Sequence, residues 1–212
     1  PNTASLPSIV SSQLTWETVE TWDIGLDWAA LNNRLTGTFD WFSRSTKNMI
    51  GPAPILGSAL GTSAPQINNC DMRSTGWELE IAWRDQIGDV KYGARFNLSD
   101  SQQKILNYPN QTGSLSSYYN GRMLNEIWGY TSTGLASSKQ EMDNWIAKNK
   151  PNWGSNWGAG DVMFKDFNND GVISSGDNTL ANHGDLKIIG NSTPRYRVGL
   201  NLDAEWKGFD FS

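Results

Sequence analysis

Residues 22–28 read WDIGLDW and residues 77–83 read WELEIAW. In both, apolar side chains take every second position, the side-chain period of a β-strand. Trp22, Ile24, Leu26 and Trp28 therefore share one face, with Asp23, Gly25 and Asp27 on the other. Trp77, Leu79, Ile81 and Trp83 likewise oppose Glu78 and Glu80. A helix would scatter these residues around its circumference. The alternation recurs in LTGTFDWF, where Leu35, Phe39 and Trp41 oppose Thr36, Thr38 and Asp40. It recurs in VKYGARFNL, with Val90, Tyr92, Ala94, Phe96 and Leu98 on one face, and in RYRVGLNL, with Tyr196, Val198, Leu200 and Leu202. The chain reads as all-β, with antiparallel up-and-down strands over 21–31, 34–45, 73–85, 89–99 and 193–203, and FDFS starting a sixth.

The connections alternate in length. Those near 32–33, 85–89 and 203–208 are short, and those over 45–72 and 100–192 are long. With the strands numbered in order, all short turns fall at one end of the sheet and all long loops at the other. Outer-membrane barrels have this asymmetry, with short periplasmic turns and long extracellular loops. A soluble β-sandwich also shows one apolar and one polar face per strand, so alternation alone leaves both open. Two features favour the membrane. Trp at each end of an aliphatic middle suits the two interfacial girdles of a barrel, and ionic residues of both signs on the opposite face suit a wet lumen. Against it, six residues tilted at about 40° rise only about 15 Å, short of an apolar band of about 25 Å, so the band must extend through neighbouring residues. The alternative is a soluble calcium-binding β-sandwich, such as a carbohydrate-binding module.

Composition narrows the partners. A net charge of −5 argues against nucleic acid, which requires clustered Lys and Arg. Cys70 is the only cysteine, so no internal disulfide forms. No stretch approaches the roughly 18 apolar residues of a spanning helix. Eleven Trp and 21 Gly point to a β-protein that relies on aromatics. The ends, PNTASLPSIV and KGFDFS, read as cuts from a longer protein.

The connection over 100–192 carries its own signals. SSKQEMDNWIAK reads as a short helix, with Ser138 and Glu141 as a capping box and Met142, Trp145 and Ile146 as an apolar stripe. DFNNDGVISSGD, residues 166–177, has the spacing of a calcium loop. Asp166, Asn168 and Asp170 stand at positions 1, 3 and 5, Gly171 at the sharp turn, Val172 offers its carbonyl at 7, Ser174 holds a water at 9, and Asp177 closes the run at 12. With no helix on either side, a structural Ca²⁺ on an outer loop is expected rather than a paired sensor; a polar loop held by Asx turns is the competing account. Trp145, Trp153 and Trp157 lie outside the strands, where they either contact substrate or partner or form the loop's own small core. His183 has no second His or Cys beside it, and Glu78 and Glu80 sit on one strand face as part of a charged wall. No nucleophile elbow, P-loop or dinucleotide fingerprint occurs, so no enzyme activity is expected.

Several stretches resemble the C-terminal barrel half of SusC/RagA-type TonB-dependent outer-membrane transporters. They are LTWETVETWDIGLDWAALNNRLTGTFDWFSRSTKNMI, STGWELEIAW, IWGYTSTGL, GDVMFKDFNNDGVISSGD and NHGDLKIIGNSTPRYRVGLNLDAEWKGFDFS, in that order. The resemblance covers nearly the whole chain apart from about 100–124. It implies that 1–212 form part of a large transmembrane β-barrel of about 22 strands with a plugged lumen. It places 100–192 as a long extracellular loop. It implies uptake of oligosaccharides or peptides across the outer membrane of a Gram-negative bacterium, a SusD-type surface lipoprotein as partner, and TonB acting through an N-terminal part not present in this sequence. Trp22, Ile24, Leu26, Trp28, Trp77, Leu79, Ile81 and Trp83 would then face membrane lipid.

Overall fold

The computed structural model describes residue 11 and residues 14–54, 64–154 and 156–212. The middle of the expected 45–72 connection, residues 55–63, lies outside the described residues. The strands and helix in chain order are β1 (Thr18–Ala30), β2 (Leu35–Gly51), β3 (Ile67–Ile87), β4 (Val90–Asn107), β5 (Glu126–Tyr130), β6 (Ser132–Leu135), α1 (Lys139–Ile146), β7 (Lys150–Pro151), β8 (Val162–Phe164), β9 (Val172–Ile173), β10 (Leu186–Asn191), β11 (Tyr196–Trp206) and β12 (Phe209–Phe211). The chain divides into two compact units, 1–107 with 193–212, and 108–192.

The first unit is a six-stranded sheet in the order β1-β2-β3-β4-β11-β12. Every neighbouring pair is antiparallel, as the alternation predicted. Three of its connections are tight. Leu31, Asn32 and Asn33 adopt left-handed φ of 52°, 56° and 64° between β1 and β2. Gly88 and Asp89 link β3 to β4, and Lys207 and Gly208 link β11 to β12. The latter two turns are shorter than the expected 85–89 and 203–208, because the ladders run to Ile87↔Val90 and Trp206↔Phe209.

At the other end the strands are longer than expected. β2 continues to Gly51, β3 begins at Ile67, and β4 continues to Asn107, so 100–107 is strand and the inserted unit begins at 108 rather than 100. These extensions read SRSTKN, NNCDMRST and SDSQQK. They are mostly polar, with no alternation of period two, so backbone hydrogen bonding continues where no hydrophobic period marks it.

Register places the apolar residues in rows across the sheet, since directly paired residues point to the same face. Leu26, Phe39, Leu79, Leu98 and Val198 form one row. Ile24, Trp41, Trp77, Asp100 and Tyr196 form the row on one side of it, and Trp28, Gly37, Ile81, Phe96 and Leu200 the row on the other. Beyond these lie Ala30, Leu35, Trp83, Ala94 and Leu202, then Tyr92 with Ala204 and Phe211, then Val90 with Trp206 and Phe209. On β11 the band runs from Tyr196 to Trp206. Ten steps at about 3.3 Å, tilted at about 40°, rise about 25 Å. The height expected of an apolar band is thus reached on β11, whereas on β3 it stops at Trp77 and Trp83, with Thr75 and Asp85 next on the same face.

The lower aromatics also step along the sheet, from Trp28 on β1 to Trp83, Tyr92 and Trp206. Leu200 is in register with Trp28, and Trp206 lies six residues further on. A shift of about 20 Å along the strands over four strand spacings, about 19 Å, corresponds to a tilt of about 45°.

Within this unit the buried apolar residues among those described are Cys70 and Ile105. Packing is instead lateral. The indole of Trp28 lies over Gly37, its direct partner, and the ring of Phe42 lies over Gly76. A Cβ at Gly76 would stand 2.6 Å from Phe42 Cζ and 2.7 Å from the Asp100 carbonyl oxygen. The carbonyl belongs to the β4 backbone and cannot swing aside. Gly76→Val should therefore destabilise the barrel of the full-length protein by about 1–3 kcal/mol, read as a lower temperature for loss of its compact band in semi-native electrophoresis. Gly88→Asn should leave that temperature near wild type, because nothing lies within 4 Å of a Cβ there and Asn accepts positive φ.

Candidate functional site

The two faces of the sheet differ in chemistry. Trp22 (72% exposed), Ile24, Leu26, Val198 and Leu200 are strongly exposed on the apolar face, while Trp77, Leu79, Ile81 and Trp83, flanked by strands on both sides, are half-buried. Among the described residues no second sheet joins this one by hydrogen bonds. The opposite face carries Asp23, Asp27, Asp40, Glu78, Glu80, Arg95 and Arg197. Asp40 is paired directly with Glu78, and Glu80 meets Arg95 at 3.4 Å. Lys91 meets Glu205 at 3.0 Å on the same face.

The unit over 108–192 has a core of its own. Leu115, Tyr119 and Leu186 are buried, with Trp128 and Tyr130 packed against them. Glu126, buried on β5, accepts hydrogen bonds from the Tyr119 hydroxyl, from Trp128 Nε1 at 3.0 Å and from the Met123 amide at 3.1 Å. Arg122 donates to the carbonyls of Leu115 and Ser117 and lies over the rings of Tyr118 and Tyr119. Burial, with the Glu126 hydrogen bond next, pushes the Tyr119 phenol up to about 12. His183 packs against Trp128, ring centres 5.5 Å apart, with its Nδ1 buried and without a hydrogen-bond partner among the described residues.

Trp153 and Trp157 join Tyr130 and Phe164 in an aromatic cluster, with Trp153 4.7 Å from Tyr130 and 6.4 Å from Trp157. Trp145 stands apart on α1, half-buried. Ser138 caps that helix, its hydroxyl accepting from the Glu141 amide at 3.2 Å. The reciprocal bond of the expected capping box is displaced by one residue: Glu141 accepts from the Ser137 amide and hydroxyl, which lowers its pKa. Met142 is fully buried, as the stripe required.

In the run 166–177, Asp166 accepts from the amides of Asn169 and Gly171, Asn168 from that of Asp170, and Asp170 from that of Val172. Asp177 is held apart by the side-chain amide of Asn182 at 2.8 Å, and the Ser174 hydroxyl accepts from the Gly176 amide. Among the described residues no three acidic, His or Cys side chains converge as a metal cluster. The centre of the loop is instead Asp185, fully buried, whose carboxylate accepts from Phe167 N at 2.7 Å and Ser174 N at 2.9 Å. No local pattern in NHGDLK marks Asp185; its partners lie 11 and 18 residues away.

With both units described, the chain is placed among known proteins. It belongs to the TonB-dependent receptor-like β-barrel family, which it matches over residues 1–211. It is 26% identical over its whole length to TonB-dependent receptor P3 of Formosa agariphila, of which it covers 21%. It is 25% identical to TonB-dependent receptor SusC of Bacteroides thetaiotaomicron over 98% of its length and 20% of that protein. The chain thus spans about a fifth of these relatives. In fold it is similar to the RagAB peptide transporter (TM-score 0.57, 20% identity, 92% of this chain and 20% of that one). It is also similar to the RagAB peptide importer in its open-open state (TM-score 0.59, 19% identity, 93% of this chain and 20% of that one).

Two outcomes follow from the buried groups. Asp185→Ala leaves the amides of Phe167 and Ser174 without a partner, a loss of about 1–3 kcal/mol each, so hydrogen exchange across 166–177 should accelerate. Tyr119 has a folded pKa above its unfolded one. Its contribution is complete below about pH 10, the unfolded value, and is lost as pH rises towards about 12. Exchange across 108–130 should therefore rise in that window beyond the ordinary increase with pH, and Tyr119→Phe should remove the extra rise.

Proposed function

We propose that this chain is part of the wall and outer loop of a TonB-dependent importer in the outer membrane of a Gram-negative bacterium. It takes up oligosaccharides or peptides together with a SusD-type surface lipoprotein. The observation that carries the reading is the band of in-register apolar rows, bounded by aromatics, on a sheet whose other face is charged. Lipid is the solvent such a face requires, and a hydrated lumen suits the other. Family membership supports transport, with energy coupled through TonB. The structural neighbour RagAB is a peptide transporter, which keeps peptides beside oligosaccharides as substrate.

For the run 166–177 the proposal is a structural calcium ion. Its support is the spacing of Asp166, Asn168, Asp170, Val172, Ser174 and Asp177. Binding would require Asp177 to exchange the Asn182 amide for the ion. After chelation, millimolar calcium should slow hydrogen exchange across 160–190 of the full-length receptor; unchanged exchange would leave the loop to its Asx turns and Asp185.

The lipid-facing assignment is tested on the full-length receptor in bilayers. Fluorophores attached to cysteines introduced singly at Leu26 and Leu200, in a cysteine-free background, should be quenched by brominated acyl chains. The same fluorophore at Asp40 or Glu80 should not be. Equal quenching on both faces would defeat the assignment. Loss of the full-length gene should abolish growth on the imported oligosaccharide or peptide as sole source and spare growth on monosaccharides or free amino acids.

A further inference from the structure

The apolar band ends on one side at Trp22, Trp41, Trp77 and Tyr196, and the strands continue past it. On the same face, two rows beyond that of Trp41 and Trp77, Glu20, Ser45, Arg73 and Lys104 stand in register. Arg73 and Lys104 are direct cross-strand partners, and both are exposed. Like charges placed directly opposite one another destabilise an antiparallel pair. Among the described residues neither has a carboxylate partner: Arg73 donates only to the Ser45 hydroxyl, at 3.0 Å, and Glu20 is taken by Lys47, at 2.8 Å. Asp71 accepts from the Asn48 amide at 2.9 Å. Asp100, at the edge of the band, is held by Arg195 at 2.7 Å.

The height of this pair selects its ligand. Four residues separate Trp77 from Arg73 along β3, which is about 13 Å of strand and about 10 Å along the membrane normal at a tilt of about 40°. A headgroup layer is about 5–8 Å deep on each side of the hydrocarbon, and the side chains of Arg and Lys extend several ångströms toward charge. We infer that Arg73 and Lys104 form a binding site on the outer wall for the anionic phosphate headgroup of a membrane lipid, with the Ser45 and Thr75 hydroxyls beside it. A phosphate between the two cations converts their repulsion into paired attraction, with Arg supplying a planar fork of donors. The inference rests on the apolar band facing lipid.

The test uses the full-length receptor in detergent, with retained lipid counted by native mass spectrometry. Phosphatidylglycerol and lipid A are compared with zwitterionic phosphatidylethanolamine. Wild type should retain the anionic lipids in preference. R73Q/K104Q should bind them about 30-fold more weakly, at roughly fivefold per basic residue. R73K/K104R should restore most of the preference, and R44Q/R197Q, the same charge change on the opposite face, should leave it intact. Equal retention of anionic and zwitterionic lipid by wild type would overturn the inference. So would equal loss in both double Gln variants, or full displacement of the lipid by excess inorganic phosphate, which would indicate a site for the free anion. Bromolipid quenching reports separately on the membrane reading. Quenching without anionic preference would remove this site alone.

Discussion

Cross-strand register is the constraint on which the sheet depends. In hydrocarbon every backbone N–H and C=O needs a partner, and the antiparallel ladder supplies one. The same ladder sorts the side chains, because a slip by one residue would turn Asp23, Asp40, Glu78 and Arg95 onto the apolar face. Across the band the pairing is unbroken from Leu35↔Trp83 to Thr46↔Met72, and from Tyr196↔Asp100 to Trp206↔Val90. The irregularities fall beyond it, between Thr46 and Ile50 and between Asp71 and Met72. They lie past the rows of the apolar band, so a bulge there leaves the register of the band intact. The tight turns at Gly88–Asp89 and Lys207–Gly208 fix the register from the opposite end.

The inserted unit is held by different means. Its regular structure is short, with two-stranded pairs and one helix. Two buried carboxylates organise it. Glu126 gathers a phenol, an indole and a backbone amide, and Asp185 gathers two amides from either end of the 166–177 run. Burial of a charged group is costly unless its hydrogen bonds are satisfied, so each carboxylate is compatible with a narrow set of loop conformations. This explains how about 85 residues with little sheet or helix keep a defined shape. Trp153 and Trp157, packed edge to face, add an aromatic cluster to the same unit.

Sequence made the sheet legible wherever one face was apolar. Trp22 to Trp28 and Trp77 to Trp83 disclosed strand and face together, since both follow from the same period of two. Strand ends were not legible. In NNCDMRST and SDSQQK the ladder persists without hydrophobic contrast, and the expected ends at 45, 73 and 99 fall inside strands that run on to Gly51, back to Ile67 and on to Asn107. In the loop, Ser138 was legible as a cap because its partner is three residues away. Asp185 and Glu126 were not, because a buried carboxylate is recognised by what it gathers from elsewhere in the chain. Asp166, Asn168 and Asp170 were found by spacing, and spacing alone does not specify whether Asp177 joins them or turns to Asn182.

Several of the strand glycines serve lateral packing. A barrel wall is a single layer, with no second sheet above its apolar face to fill the spaces between side chains. Some large residues lie down on the neighbouring strand, and a partner without a side chain makes room for them. Trp28 over Gly37 and Phe42 over Gly76 do so on opposite faces. On the polar face Asp40 lies over Gly25, Asp203 over Gly93 and Asn97 over Gly199 in the same way. Each pair is a direct cross-strand partnership, so a glycine ties its strand to one register of its neighbour as firmly as a large residue would in a layered core. Glycine, ordinarily unfavourable in a strand interior, here makes lateral packing possible. The alternation of large and absent side chains across the ladder thus does for this sheet what interdigitation between layers does for a soluble one.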